Sequence, residues 1–432
     1  MSENLDQRIR ELASLLAPDR KVDLQLRQGV VYSVEYGTIT VQLSGSPLPI
    51  GNIRYLNSYV PVVGESVWLI KNGPDLIAIG HVADLYTPVT VEAPHVVGAA
   101  GEPAFQNGWS NFGGGFEGAR FWKDPEGVVH LEGLVSGGAV TSAIFTLPVG
   151  YRPASPKRFL SMANSVVTSF QVFSDGVVRQ TATGSTSNAW INLSNCSFVA
   201  ESALDSPPFI VDRQIAGSPL VALDTEAPEW PSCFRRSDGW WLYKGYLGGS
   251  AASGNLRLMP EDSWPEWHAL FRVLAMTATT TGHIGKRVDI SARAGGYIES
   301  PESTGVRMSM DQIRWWEHNQ RHGWTNLPAY QNGWSNYSST PYWGPGQYRK
   351  DQYEMVHLRG LIAPGTTATN TIISTLPVGF RPANRIMCII PSSGGTARMD
   401  VNSNGNVVVA SGGDGYGTTY ASLDQIRFRA AA

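Results

Sequence analysis

An internal repeat limits the folding of this 432-residue chain more than any other feature it has. Phe105-Gln-Asn-Gly-Trp-Ser-Asn-Phe112 returns as Tyr330-Gln-Asn-Gly-Trp-Ser-Asn-Tyr337, and His130-Leu-Glu-Gly-Leu134 returns as His357-Leu-Arg-Gly-Leu361. Thr146-Leu-Pro-Val-Gly-Tyr-Arg-Pro153 returns as Thr375-Leu-Pro-Val-Gly-Phe-Arg-Pro382. Between these copies, Arg235-Arg-Ser-Asp-Gly-Trp-Trp-Leu-Tyr-Lys-Gly-Tyr246 aligns Gly245 with Gly133 and Gly360. Near the ends, Met310-Asp-Gln-Ile-Arg-Trp315 answers Leu423-Asp-Gln-Ile-Arg-Phe428 and, more loosely, Leu193-Ser-Asn-Cys-Ser-Phe198. Self-similarity at a fixed interval is the mark of one supersecondary unit used again, here a unit of about 115 residues used three times.

Each unit reads as all-β. Hairpins turn at Asp124-Pro-Glu-Gly127, Ser174-Asp-Gly176, Ser237-Asp-Gly239 and Asn402-Ser-Asn-Gly405, and the proline-rich connector excludes a central strand. Strands at intervals of roughly ten residues predict a β-sandwich, jelly-roll-like, over 101–204, 228–316 and 328–432. Linkers are expected near 86–100, 205–228 and 317–329.

Composition agrees with this class. Charged residues make up 16% of the chain, while Gly (46), Pro (27) and Trp (14) are plentiful, which disfavours a coiled-coil rod, a helical bundle or a charge-rich disordered tail. A net charge of −3 supplies no general attraction to nucleic acid or to anionic membrane. The three cysteines, Cys196, Cys233 and Cys388, are far apart and read as single thiols. The sequence contains no apolar run near 18 residues and no signal peptide at its start, so neither membrane insertion nor ordinary secretion is expected.

Ahead of the repeats, residues 1–20 predict an N-terminal helix in which Leu5, Ile9, Leu12 and Leu16 are spaced 4, 3, 4 along one stripe. That stripe either docks on its own domain or joins copies of the chain, most simply three. From Leu24 the period changes to two, and five strand candidates (Val30–Tyr36, Thr38–Leu43, Asn52–Leu56, Glu65–Lys71 and Asp75–Ala83) predict a small barrel of oligonucleotide/oligosaccharide-binding (OB) topology over 21–85. Basic residues and aromatics do not cluster there, so the barrel is expected to serve assembly.

Catalytic motifs are missing: no Gly-x-Ser-x-Gly elbow, phosphate-binding glycine loop or His-Glu-x-x-His pair occurs, and no cofactor is expected. His318 and His322 are spaced i, i+4 beside Glu317, in a stretch that reads as a solvated linker. His130 and His357 share a place that Leu242 fills in the second copy, a pattern of packed strand histidines. Asp311 and Asp424 are equivalent carboxylates that Ser194 replaces; a paired-carboxylate hydrolase is the alternative they leave open.

The repeat also sorts the aromatics. Val129, Trp241 and Val356 share a position, as do Phe198, Trp315 and Phe428, so these rings belong to cores; Glu132, Lys244 and Arg359 alternate with them as a solvent face. Trp109 and Trp334 belong to shared turns and read as packing anchors. Trp240, Trp264, Trp267, Tyr342, Trp343 and Tyr348 have no counterparts, and they either stack on sugars or bury against a neighbouring domain or subunit.

The Asn-Gly-Trp-Ser opening, the His-Leu-x-Gly-Leu strand, the Thr-Leu-Pro-Val-Gly-Tyr-Arg-Pro connector and the Leu-Asp-Gln-Ile-Arg-Phe closing strand resemble distal modules of minor tail proteins and tail fibres of long-tailed phages, especially those infecting actinobacteria. The barrel stretch, with Pro61-Val-Val-Gly-Glu-Ser-Val-Trp-Leu-Ile70, looks like the small barrel near the start of such proteins. The resemblance implies a non-enzymatic virion protein of the tail tip, made in the host cytoplasm and forming a homotrimer. Its expected partners are other tail-tip proteins and a host cell-surface glycan. A cell-wall glycan hydrolase and an architectural collar or head fibre are the alternative readings.

Overall fold

Val, Ile and Thr alternate through the stretch after Leu24, and such residues favour pleated, half-buried strands. The structure, a computed structural model, describes residues 24–35, 37–46, 48–56, 59, 61, 63–72, 75–81, 91–184, 187–203, 232–236, 240–247, 254–258, 265, 267–277, 283–290, 297–300, 306–316, 323–337 and 343–431. The predicted helix, with Leu5, Ile9, Leu12 and Leu16, lies outside them, as do Trp264, Tyr342, His318 and His322. The chain divides into two bodies, Met1–Pro88 and Val89–Ala432.

The first body is a closed five-stranded barrel. Its strands are β1 (Leu24–Glu35), β2 (Thr38–Leu43), β3 (Ile50–Tyr55), β4 (Ser66–Asn72) and β5 (Asp75–His81), joined in the order β1-β2-β3-β5-β4. β3 and β5 run parallel and the other neighbours antiparallel, which is the expected OB-like order. β1 starts six residues before the strand read from sequence and is long enough to pair with both β2 and β4, closing the sheet. Gly29 permits the crossing: a Cβ there would lie 2.5 Å from Val41 Cγ1. Val31, Ile39, Val41, Ile53, Val67 and Leu69 fill the interior.

The second body is all-β apart from one short 3₁₀ turn, Glu201–Ala203, among the described residues. In its first segment a seven-stranded sheet runs in the order Ala143–Thr146, Val177–Gly184, Val166–Val172, Lys157–Ala163, Ile191–Asn192, Leu134–Ser136, Ser110–Asn111. A four-stranded sheet covers it in the order Cys196–Val199, Val128–Glu132, Arg120–Lys123, His95–Val96. Phe121, Leu131 and Phe198 of the smaller sheet pack with Phe145, Phe159 and Phe170 of the larger to form the core.

The last segment has the same two sheets in the same order. The larger runs Ile372–Thr375, Asn406–Gly413, Gly395–Val401, Ile386–Ser392, Ala421–Ser422, Leu361–Ala363, Ser335–Asn336. The smaller runs Arg427–Arg429, Met355–Arg359, Gln347–Lys350, Thr325–Asn326. Between these segments lie a three-stranded sheet (Ser232–Arg235, Trp240–Lys244, Arg314–Trp316) and a six-stranded one. His95–Val96 and Thr325–Asn326 are edge strands in stretches read as linkers.

One expectation is corrected here. Glu132 was assigned to a solvent face but is 2% exposed, ion-paired with Arg120 at 2.6 Å and accepting a hydrogen bond from Arg429 N of the last segment at 2.8 Å. The outward faces of the small sheets turn toward neighbouring segments, where charged residues pair with one another instead of with water. The larger sheets meet through an apolar knot of Leu160, Met162, Leu274 and Ile389, drawn from all three segments.

Candidate functional site

Trp267 and Trp343 lie on either side of one boundary between segments, each against the other's chain neighbour. His268, at the start of strand Ala269–Thr277, forms an isolated parallel bridge with Trp343, and their ring centroids are 5.0 Å apart. Trp267 lies directly on Gly344, where a Cβ would come within 2.5 Å of its Cδ1. Trp267 and Trp343 are both half-buried, and a small recess beneath Trp267 and His268 is lined by Trp240, Arg314, Trp316 and Asp424. Aromatic planes with polar groups at their edges are the ordinary means of holding a sugar ring.

Backbone geometry places this loop. Gly360 has φ +99, and a Cβ on it would meet Pro345 O at 2.0 Å, so only glycine lets the strand after Met355–Arg359 pass under the Trp343 loop. Gly360 N donates to Asp424 Oδ1 at 2.9 Å, while Asp424 Oδ2 accepts from Leu270 N at 2.9 Å and Ser422 Oγ at 2.7 Å. Burial raises the Asp424 carboxyl above its ordinary range, against those hydrogen bonds. Asp311 repeats the arrangement, accepting from Gly245 N at 3.2 Å and Ser309 Oγ at 3.1 Å and lying 3.6 Å from Lys157. Both carboxylates are thus occupied in holding glycine turns and neighbouring segments.

The remaining candidates separate clearly. Trp240 is 5% exposed, edge-on to Trp316 at 5.3 Å and tilted on His357 at 4.5 Å. Its ring leaves the core of its own segment and buries against the adjoining ones. Tyr348 is 8% exposed and edge-on to Phe380 at 4.8 Å inside the last segment, because its strand position faces inward. Neither ring is on display. Trp109 and Trp334 are buried, and Trp334 Nε1 donates to Thr366 O at 3.0 Å.

Sequence reasoning missed a polar hub. Arg236 bonds Glu126 at 2.8 Å and Asp124 at 2.9 Å, and its guanidinium faces the Tyr353 ring at 4.9 Å. His130 Nε2 lies 3.1 Å from Asp124, and His357 Nε2 lies 2.8 Å from Asp351. Burial pushes His130 down to about 4, while the Arg236 charge and the His130 hydrogen bond hold Asp124 low despite its burial. A signal existed: Arg236 stands nine residues before Gly245, as Asp124 does before Gly133 and Asp351 before Gly360. Among the described residues no group of three or more His, Cys, Asp or Glu side chains is placed to hold a metal ion. Compared with protein-family models, curated proteins and solved structures, the chain matches none.

Proposed function

We propose that this chain is a structural protein of a phage tail tip, built of three tandem copies of one jelly-roll-like β-sandwich and used for adhesion to host cell-surface glycans. In this reading the N-terminal helix and barrel join it to further copies of itself and to other tail-tip proteins. The phage-like motifs and the matching sheet orders of the first and last segments support the architecture. The observation that carries adhesion is that half-buried Trp343 lies against His268 while half-buried Trp267 lies against Gly344, at one boundary between segments. Binding is favoured over hydrolysis because the oxygens of Asp424 and Asp311 are committed to backbone and hydroxyl donors.

The test is binding of the full chain to polysaccharide purified from host cell wall. Trp343→Ala and Trp267→Ala should each weaken it about tenfold, the effect of losing one stacking contact of roughly 1.4 kcal/mol. Unchanged binding in both variants, or no binding by the parent protein, would sink the proposal; release of new reducing ends would favour the hydrolase.

A further inference from the structure

The three segments are linked by corresponding residues. Gly133, Gly245 and Gly360 each donate their N–H to one side chain, Ser194 (3.0 Å), Asp311 (3.2 Å) and Asp424 (2.9 Å). Two residues before those acceptors stand Asn192, Ser309 and Ser422, and each reaches into another segment. Ser309 Oγ donates to Arg158 O at 2.8 Å, Ser422 Oγ to Leu270 O at 3.2 Å, and Asn192 Nδ2 to Met387 O at 3.4 Å. The second segment therefore grips the first, the third grips the second, and the first grips the third, which closes a cycle. Gln312 and Gln425 extend two of these junctions through paired bonds to the backbone of Leu160 and Arg272.

A cycle of corresponding contacts gives each junction a counterpart of the others. Trp343 stands seventeen residues before Gly360, and Phe116 stands seventeen before Gly133. Phe116 forms an isolated parallel bridge with Arg385, as Trp343 does with His268. Around Phe116 the surface is open. Gly113, Gly114 and Gly115 all have positive φ and are exposed, and a Cβ on Gly113 or Gly115 would touch nothing, so the backbone forms a shelf without side chains. Phe112 is 39% exposed and edge-on to Phe116 at 5.8 Å, while the Arg385 guanidinium lies 4.8 Å from the Phe116 ring. The exposed Asn384 amide, 3.5 Å from both Glu117 oxygens, is only loosely held.

We propose that the junction of the first and third segments is a second saccharide site. Phe112 supplies the stacking face and the exposed Asn384 amide bonds hydroxyls; Arg385 is paired with Asp400 at 2.7 Å and buried Glu117 with Arg120 at 3.3 Å, so the ligand is a neutral sugar. One chain then carries two sites of common backbone construction, and two weak contacts from one chain add by avidity. The inference rests on the adhesive reading above.

The test is calorimetric titration of the full chain with defined neutral oligosaccharides, the strongest binder of a panel being used throughout. Two equivalents should bind, one being lost in Phe112→Ala/Asn384→Ala and the other in Trp343→Ala. Phe112 and Asn384 are exposed, so an unchanged melting temperature serves as the folding control. A single equivalent that Trp343→Ala abolishes and the double variant leaves intact overturns the second site and leaves the first standing. A single equivalent with the opposite sensitivity overturns the Trp267–Trp343 site alone, and no binding to any member overturns both.

Discussion

Arg236 Nη2 lies 2.9 Å from Asp124 Oδ2, so a buried cation of the second segment is neutralised by an acid of the first. Arg236, Asp124 and Asp351 each stand nine residues before their glycines and are corresponding positions. Three identical subunits would bring three like charges together at such a point. In this chain one of the three positions holds a cation instead.

Removing that cation strands Asp124 and Glu126 without their partner. Arg236→Ala should lower stability by about 3–5 kcal/mol, the usual result of breaking a buried pair from one side. Arg236→Asp should cost more, since it adds a third acid. Urea unfolding of each variant gives the comparison, and a loss below about 1 kcal/mol would show that the Arg236 pairs do not hold the segments together.

Acid should weaken the second body through His130. Its pKa falls from an ordinary value near 6.5 to about 4 on folding, so between those values the unfolded chain binds the extra proton. Stability from this group is complete above pH 6.5 and is lost as pH falls toward 4, up to about 3 kcal/mol in all. His130→Gln should flatten the loss in that interval, measured by melting temperature against pH.

His95 should act in the opposite direction. Its ring nitrogens lie 2.8 Å from Glu102 and 2.7 Å from Glu92, and the two carboxylates raise its pKa against partial burial. Stability from this group is fully present below pH 6.5 and is lost as pH rises through the elevated folded value. His95→Gln should remove that alkaline decline, measured by melting temperature against pH.

Gly344→Ala is a test of the Trp267–Trp343 site that spares both rings. The added methyl would sit 2.5 Å from Trp267 Cδ1, so the indole must move. Saccharide binding should fall about as far as in Trp267→Ala, and because Gly344 is buried a lower melting temperature accompanies the loss.

The alternation that locates β2 and β4 of the barrel is plain in the sequence, since Val41, Val67 and Leu69 face an apolar interior while their neighbours do not. The buried positions of Trp315 and Phe428 follow in the same way from their apolar counterparts. Glu132 and Trp240 were less legible. Alternation records that a side chain leaves its own core, and water and a polar neighbouring segment require the same kind of residue there. Tyr348 reads from sequence as a candidate for display, whereas its strand begins at Gln347 and points it inward. The contacts of Trp343 with His268 and of Trp267 with Gly344 depend on which segments touch, information that no local spacing contains.

The bonds from Ser309, Ser422 and Asn192 also determine how the second body comes apart. In a linear string of modules one junction can open while the rest stay intact. In a closed cycle, opening one junction forces the other two to distort, so their losses arrive together. Heat should therefore melt Val89–Ala432 in a single cooperative calorimetric transition, with one enthalpy shared by three segments.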